Sequence, residues 1–426
     1  MRQPESFVSR SYYWLAKTRS WLTLLTFFWL PLSKSAPLIF MFLISILWII
    51  ESANFKLTQL KNNALSLFLI VIYTAYPVSL LWSDDITFGI QRSLDLIWIL
   101  LIAITVSQYE GDKVRAYLLS FIAGASIHAL FFVLGYLELF HILNSTPQDP
   151  SVSGNRNTYG PIVAVAGVSM IYVTLTSEWQ KTNKIYGLIL SSFLLITVLL
   201  NASRAGHAVL ITLAVTGIAY VAYLKGKKIL GGLAIGALLA ILLPFMLTID
   251  NIQERFAATM SEIAVYEINP LTSTGIRLSF YKNTLELQIE RPLLEKVIGS
   301  GAGDYVSEYN AFIEKKAGTL PGLTQHKQDT QGWNRFKDLH SQYLMSMLTF
   351  GITGLLLIVG LVILVCRQTM LNKDLIFTGL FCSVFMALMI NSLFQSAMET
   401  RGLAPAYFLI LGLLFINHQG IKNRHG

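Results

Sequence analysis

Charge is what this chain has least of. Only 13% of its 426 residues are Asp, Glu, Lys or Arg, about half the ~25% typical of a soluble domain. That scarcity, with 54% hydrophobic residues, argues against two or three soluble domains and for a chain that lives in lipid. Cysteine is nearly absent. The two present, Cys366 and Cys382, sit in or beside apolar runs, so no disulfide is expected in the long polar loop. No His/Cys spacing of the zinc type occurs, and we find no soluble repeat or low-complexity tract. No A-x-A-like site follows the first apolar run, so no cleavable leader is expected. The net charge is +8. Most basic residues flank apolar runs, which assigns them to membrane topology and argues against nucleic-acid binding.

What the chain has in quantity is apolar runs near 20 residues, the length that spans a bilayer. They predict an all-α, polytopic bundle of about twelve spans: 20–33, 36–51, 62–82, 89–107, 115–138, 158–177, 185–201, 205–224, 229–249, 342–366, 375–392 and 402–418. Lys and Arg concentrate in alternate loops, which predicts both termini on the cytoplasmic side of the membrane. Residues 1–249 then form an N-terminal group of about nine spans, 250–341 one large non-cytoplasmic loop subdomain, and 342–426 about three closing spans. Within the loop, 276–294 reads as an amphipathic helix stopped by Pro292, and Gly299 to Gly303 as a sharp turn.

A cation in hydrocarbon costs roughly 3 kcal/mol or more, yet Arg204 stands in a tight turn between two spans, in Ala202-Ser203-Arg204-Ala205. Arg277 and His340 bracket the long loop, and Arg92, Arg156, Arg401, Asp84 and Asp85 fall on the same side. Several guanidiniums on one face suit a diphosphate, because each grips phosphate oxygens bidentately and stays charged. The plainer alternative is snorkelling of each arginine to the interface. Arg401 has Glu399 as a nearby partner, and Arg92 has Asp95. His340, in Asp338-Leu339-His340-Ser341, is placed to take a proton from a sugar hydroxyl, or to serve as a polar cap. Asp84 and Asp85 raise the option of a metal, but Asp84 equally suits a helix cap. No metal is expected. Gly299-Ser300-Gly301-Ala302-Gly303 invites a nucleotide reading, but no Lys-Ser/Thr follows and no strand–helix unit surrounds it.

Taken together, these positions resemble the O-antigen ligase branch of the ligase/polymerase family of membrane glycosyltransferases. Leu81-Trp82-Ser83 before an acidic residue, Asn155-Arg156-Asn157-Thr158-Tyr159-Gly160, Ala202-Ser203-Arg204-Ala205, Thr274-Gly275-Ile276-Arg277-Leu278, Glu290-Arg291-Pro292-Leu293 before the glycine turn, and Leu339-His340-Ser341 are each similar to a family element. The spacing around Gly299 departs from the family's compact Gly-x-Gly. The resemblance implies a GT-C-like fold and glycan transfer from undecaprenyl diphosphate to the outer-core sugar of lipid A–core, with no cofactor. It implies that Arg204 and Arg277 hold the diphosphate and that His340 is the essential histidine. Arg92, Arg156, Arg401, Asp84 and Ser341 are expected around the substrates. An O-antigen polymerase and a protein O-oligosaccharyltransferase of the same family are the alternatives. A lipid-glycan transporter is disfavoured, because its polar groups would gather near the midplane on broken helices.

Overall fold

The computed structural model describes residues 7–51, 53–140, 149–152, 155–201, 203–248, 250–266, 272–317, 338–372 and 374–416. Among them there is no strand, and the chain is an all-α, multi-pass membrane bundle. Among the described residues each of the twelve expected apolar runs falls on helix, but only seven helical segments are both long and apolar enough to cross a membrane. The last apolar helix, Ala404–Phe415, measures about 18 Å at 1.5 Å per residue. That is well short of a ~30 Å hydrocarbon core. Residues 402–416 are buried throughout, so this segment acts as core, packed by protein on every side.

The helices in order are α1 (Phe7–Trp29), α2 (Ala36–Ile50), α3 (Ala53–Asn62), α4 (Ala64–Ser79), α5 (Ile86–Asp95), α6 (Trp98–Ser107), α7 (Val114–Tyr136), α8 (Arg156–Thr176), α9 (Lys181–Leu200), α10 (Arg204–Leu224), α11 (Lys228–Leu247), α12 (Asp250–Ala264), α13 (Ser273–Glu290), α14 (Leu293–Ile298), α15 (Gly301–Ala317), α16 (Gln342–Leu371), α17 (Leu375–Phe394) and α18 (Ala404–Gly412). One large core joins α1, α2, α4, α6–α10 and α16–α18. A second, smaller core holds Phe280, Leu287, Tyr305, Tyr309 and Phe312 against Leu344 and Met345. It seats α13 and α15 on the start of α16.

Two irregularities escaped the apolar pattern, because hydropathy does not sense backbone turns. The expected span 89–107 tightens at Leu96–Ile97, where N–H groups bond three residues back, so Arg92 lies in the short helix α5 ahead of that turn, within a helical segment, Ile86–Ser107, that is still long and apolar enough to cross a membrane. In α16, Gly351 leaves helical geometry (φ 60, ψ −144). The reason is contact. A Cβ on Gly351 would lie 2.5 Å from the Lys296 carbonyl oxygen, and one on Gly299 (φ 71) would lie 2.4 Å from that of Thr349. The glycine turn therefore docks onto α16 backbone to backbone, at φ values that only glycine adopts cheaply.

That turn also answers the nucleotide reading. Gly301 (φ 85) abuts Ser79 and Ser83, and the first amides of α15 are taken: Ala302 N–H donates to Ser79 Oγ (2.9 Å) and Gly303 N–H to Ser83 Oγ (3.2 Å). A helix start binds phosphate through such amides, and here serine hydroxyls occupy them.

Candidate functional site

The N-termini of α8 and α10 meet at one end of the bundle. Ser203 caps α10, its Oγ accepting the Gly206 N–H at 3.0 Å. Asn155 caps α8 through the Asn157 N–H. Asn201 Nδ2 donates to the Arg156 carbonyl (3.0 Å), Ser203 Oγ to Asn157 Oδ1 (3.2 Å), and Gly160 and Gly206 pass too closely for a side chain on either. Arg156 and Arg204 are thus each the first residue of a helix, and the two helix starts are tied together. The positive ends of both macrodipoles coincide there.

Arg204 Nη1 donates to Thr274 Oγ1 at 3.2 Å, which carries the α10 terminus onto α13. Arg277 follows three residues later on α13, and Glu262 of α12 closes the group, its Oε2 accepting the Thr274 N–H at 2.8 Å. The Thr274 hydrogen bond, helped by the charges of Arg204 and Arg277, holds the Glu262 carboxyl below its usual range. Burial pushes the Arg277 guanidinium below its ordinary value, with Glu262 opposing the shift. Arg277 Nε is buried, and among the described residues it donates to nothing.

His340 joins the same helix from the other side. Tyr281, one turn beyond Arg277, donates its hydroxyl to the Leu393 carbonyl (2.7 Å) and is hydrogen-bonded, hydroxyl to hydroxyl, with Ser341 Oγ (3.1 Å). The His340 ring lies 6.3 Å from that of Phe280 and is exposed. Its backbone sits at φ 52, a left-handed conformation costing a non-glycine residue of order 1–3 kcal/mol. Asp338 Oδ1 fixes it there, accepting both the His340 N–H (2.8 Å) and the Ser396 hydroxyl (2.6 Å). The histidine is thus held in a strained turn beside α13. Ser341, expected at the substrates, is fully buried; it serves as the junction between Tyr281 and the start of α16.

The outer arginines pair, with the partners exchanged relative to expectation. Arg92 binds Glu399, and Arg401 lies 3.1 Å from Asp95. Neighbours in sequence therefore brace neighbours in space, tying α5 to the 395–403 turn. Gln342 completes the brace. Its Nε2 donates to Glu399 Oε1 (2.8 Å), and its Oε1 accepts the Met398 N–H (3.0 Å). Asp84 is not the cap of α5; Asp85 is, accepting the Phe88 N–H at 2.9 Å. The amides of Asp84 and Asp85 both donate to the Asp304 carboxylate, at 2.6 and 2.9 Å. Among the described residues, no group of three or more His, Cys, Asp or Glu is arranged to hold a metal ion. His326 and the stretch 318–337 lie outside the described residues.

Residues 187–359 match the family model described as O-antigen ligase. Over this segment, which is under half of the chain, the protein is similar to the O-antigen ligase family. The match runs from α9 into α16, so Arg204, Arg277, His340 and Ser341 lie within the ligase segment, and Arg92, Arg156, Arg401 and Asp84 outside it. No curated protein matches the chain. The family matched is one of glycosyltransferase-like membrane enzymes that take a lipid-linked glycan and a lipid acceptor.

Sequence reasoning missed three contributors. Glu262 carries no signal in the chain, because its partners are remote in sequence. Thr274 and Tyr281 stand on the Arg277 side of α13, at i−3 and i+4, a spacing that places them beside it on one helix face; that signal was available.

Proposed function

We propose that this protein is an O-antigen ligase, transferring a glycan from undecaprenyl diphosphate to the outer-core sugar of lipid A–core on the periplasmic face of the inner membrane. The observation that carries this reading is the convergence of Arg204 and Arg277 beside Thr274, about two helical turns from the Tyr281–Ser341 contact that adjoins His340. One helix thereby sets two cations and a histidine along a single edge.

In this reading the arginines bind the diphosphate and stabilise the charge that grows on it as the C1–O bond breaks. Such charge stabilisation is worth most where water is excluded. Arg277, half-buried and with an unengaged Nε, is suited to that task. His340 accepts the proton of the acceptor hydroxyl as it attacks, a contribution of typically 10²–10⁴-fold. Attack opposite the leaving diphosphate inverts the anomeric carbon. The released diphosphate takes the bonding pair, and no metal or nucleotide takes part. Arg92, Arg156, Arg401 and Asp84 shape the rim. Arg92 and Arg401 do so through their carboxylate partners, and Asp84 through the backbone brace to Asp304.

The test is transfer by purified protein, given one lipid-linked glycan and either lipid A–core or a second lipid-linked glycan as acceptor. Glycosylated lipid A–core is the expected product. Elongated lipid-linked glycan alone would overturn the ligase reading in favour of a polymerase.

A further inference from the structure

The arginines assigned to the donor already face an anion that the chain itself supplies. Glu262, in the last turn of α12, accepts the Thr274 N–H at 2.8 Å, and the Thr274 hydroxyl accepts Arg204 Nη1 at 3.2 Å. With Thr272 as the cap of α13, the Thr274 N–H is one of the amides a helix start leaves without an intrahelical partner. Such an amide, flanked by guanidiniums, is a donor set of the kind that takes a phosphate oxygen. A carboxylate oxygen holds it here.

We propose that Glu262 is an internal stand-in for the donor's diphosphate. It keeps Thr274, Arg204 and Arg277 aligned in the empty site, and it is displaced when diphosphate arrives. The inference rests on the reading of Arg204 and Arg277 as the diphosphate site. Binding is then an exchange of anions and not a simple addition. The apparent affinity is lowered by the fraction of molecules in which Glu262 holds the site, so weakly bound monoanions are rejected and a dianionic or trianionic diphosphate is favoured. Glu262 is partly exposed, so leaving requires a change of rotamer and no unfolding of α12.

The experiment titrates the full-length protein in detergent with inorganic pyrophosphate, comparing wild type, Glu262→Gln and Arg277→Ala. Glutamine keeps an acceptor for the Thr274 N–H and removes only the charge. Glu262→Gln should bind pyrophosphate on the order of tenfold tighter, and KM for the lipid-linked donor should fall with it. Arg277→Ala should bind weakly. Unchanged or weaker binding by Glu262→Gln, with Arg277→Ala still impaired, overturns the stand-in alone and makes Glu262 a cap-like brace. Wild-type binding by Arg277→Ala overturns the arginine site and the stand-in together. Should glutamine unsettle α12, Glu262→Ala gives the same comparison, checked by its thermal unfolding.

Discussion

The two ends of helix α13 treat an arginine in opposite ways. At its C-terminus Arg291 is closed in. Its side chain is 1% exposed, its Nε donates to Glu308 Oε1 (2.8 Å), and its terminal nitrogens reach Glu308 Oε2, Gln288, Ser300 and the carbonyls of Met347 and Leu348. Near the N-terminus Arg277 is half-buried, faces one partly exposed carboxylate, and leaves Nε unengaged. Arg291 is saturated and locks the glycine turn onto α16. Arg277 is desolvated without being satisfied, which is the condition of a cation held ready for an anion. Burial alone does not mark a functional arginine; the balance between burial and partners does.

The largest effect should come from opening the closed end. Arg291→Ala removes the cation from the partly exposed Glu308 carboxylate and a donor from the Met347 and Leu348 carbonyls, and breaking a fully buried pair would cost about 3–5 kcal/mol as an upper bound. Most folded protein should be lost, read as yield and as thermal unfolding in detergent. A variant that folds like wild type would erase the contrast between the two ends.

His340 comes next. His340→Ala should slow single-turnover transfer by about 10²–10⁴-fold and leave donor binding intact. His340→Gly should be equally inactive yet more stable than the alanine variant by roughly 1 kcal/mol, because glycine accepts the positive φ. Loss of donor binding in either would move His340 from acceptor to donor.

At the open end the chemistry should suffer and the fold should not. Arg277→Lys keeps the charge but lacks the planar fork, and it should lose about 10²–10³-fold in transfer at a near-normal unfolding temperature. Arg204→Ala should behave alike. If either variant unfolds as Arg291→Ala does, the N-terminal arginines are braces as well.

The smallest effect should be none. Excess EDTA should leave the transfer rate unchanged, since the reaction as proposed draws its cations from Arg204 and Arg277. Inhibition reversed by magnesium would call for a metal at the carboxylates, with Asp84, Asp85 and Asp338 the first to test.

Much of this was legible in the chain. Charged residues are so costly in hydrocarbon that apolar runs near 20 residues fix the helices almost unaided, and α8, α10 and α17 fall within a few residues of expectation. Asn155 and Ser203, residue types that commonly precede helices, cap α8 and α10 in the structure. Asp84 and Asp85 were not separable, because adjacent carboxylates offer the same chemistry and only the turn selects one. For Arg92 and Arg401 sequence proximity offered Asp95 and Glu399 respectively as alternative partners, while the packing of α5 against the 395–403 turn exchanges them.

Sequence by itself determined that this is a helical membrane protein, because hydropathy and charge act locally and leave a periodic trace. Only tertiary structure decided what each arginine does. Arg291 was satisfied by backbone carbonyls 56 and 57 residues away, Arg92 by a carboxylate 307 residues away, and Arg204 was joined to Arg277 through Thr274, 70 residues on. Whether a guanidinium is saturated or left open depends on where distant segments place their oxygens, and no local pattern along the chain records that.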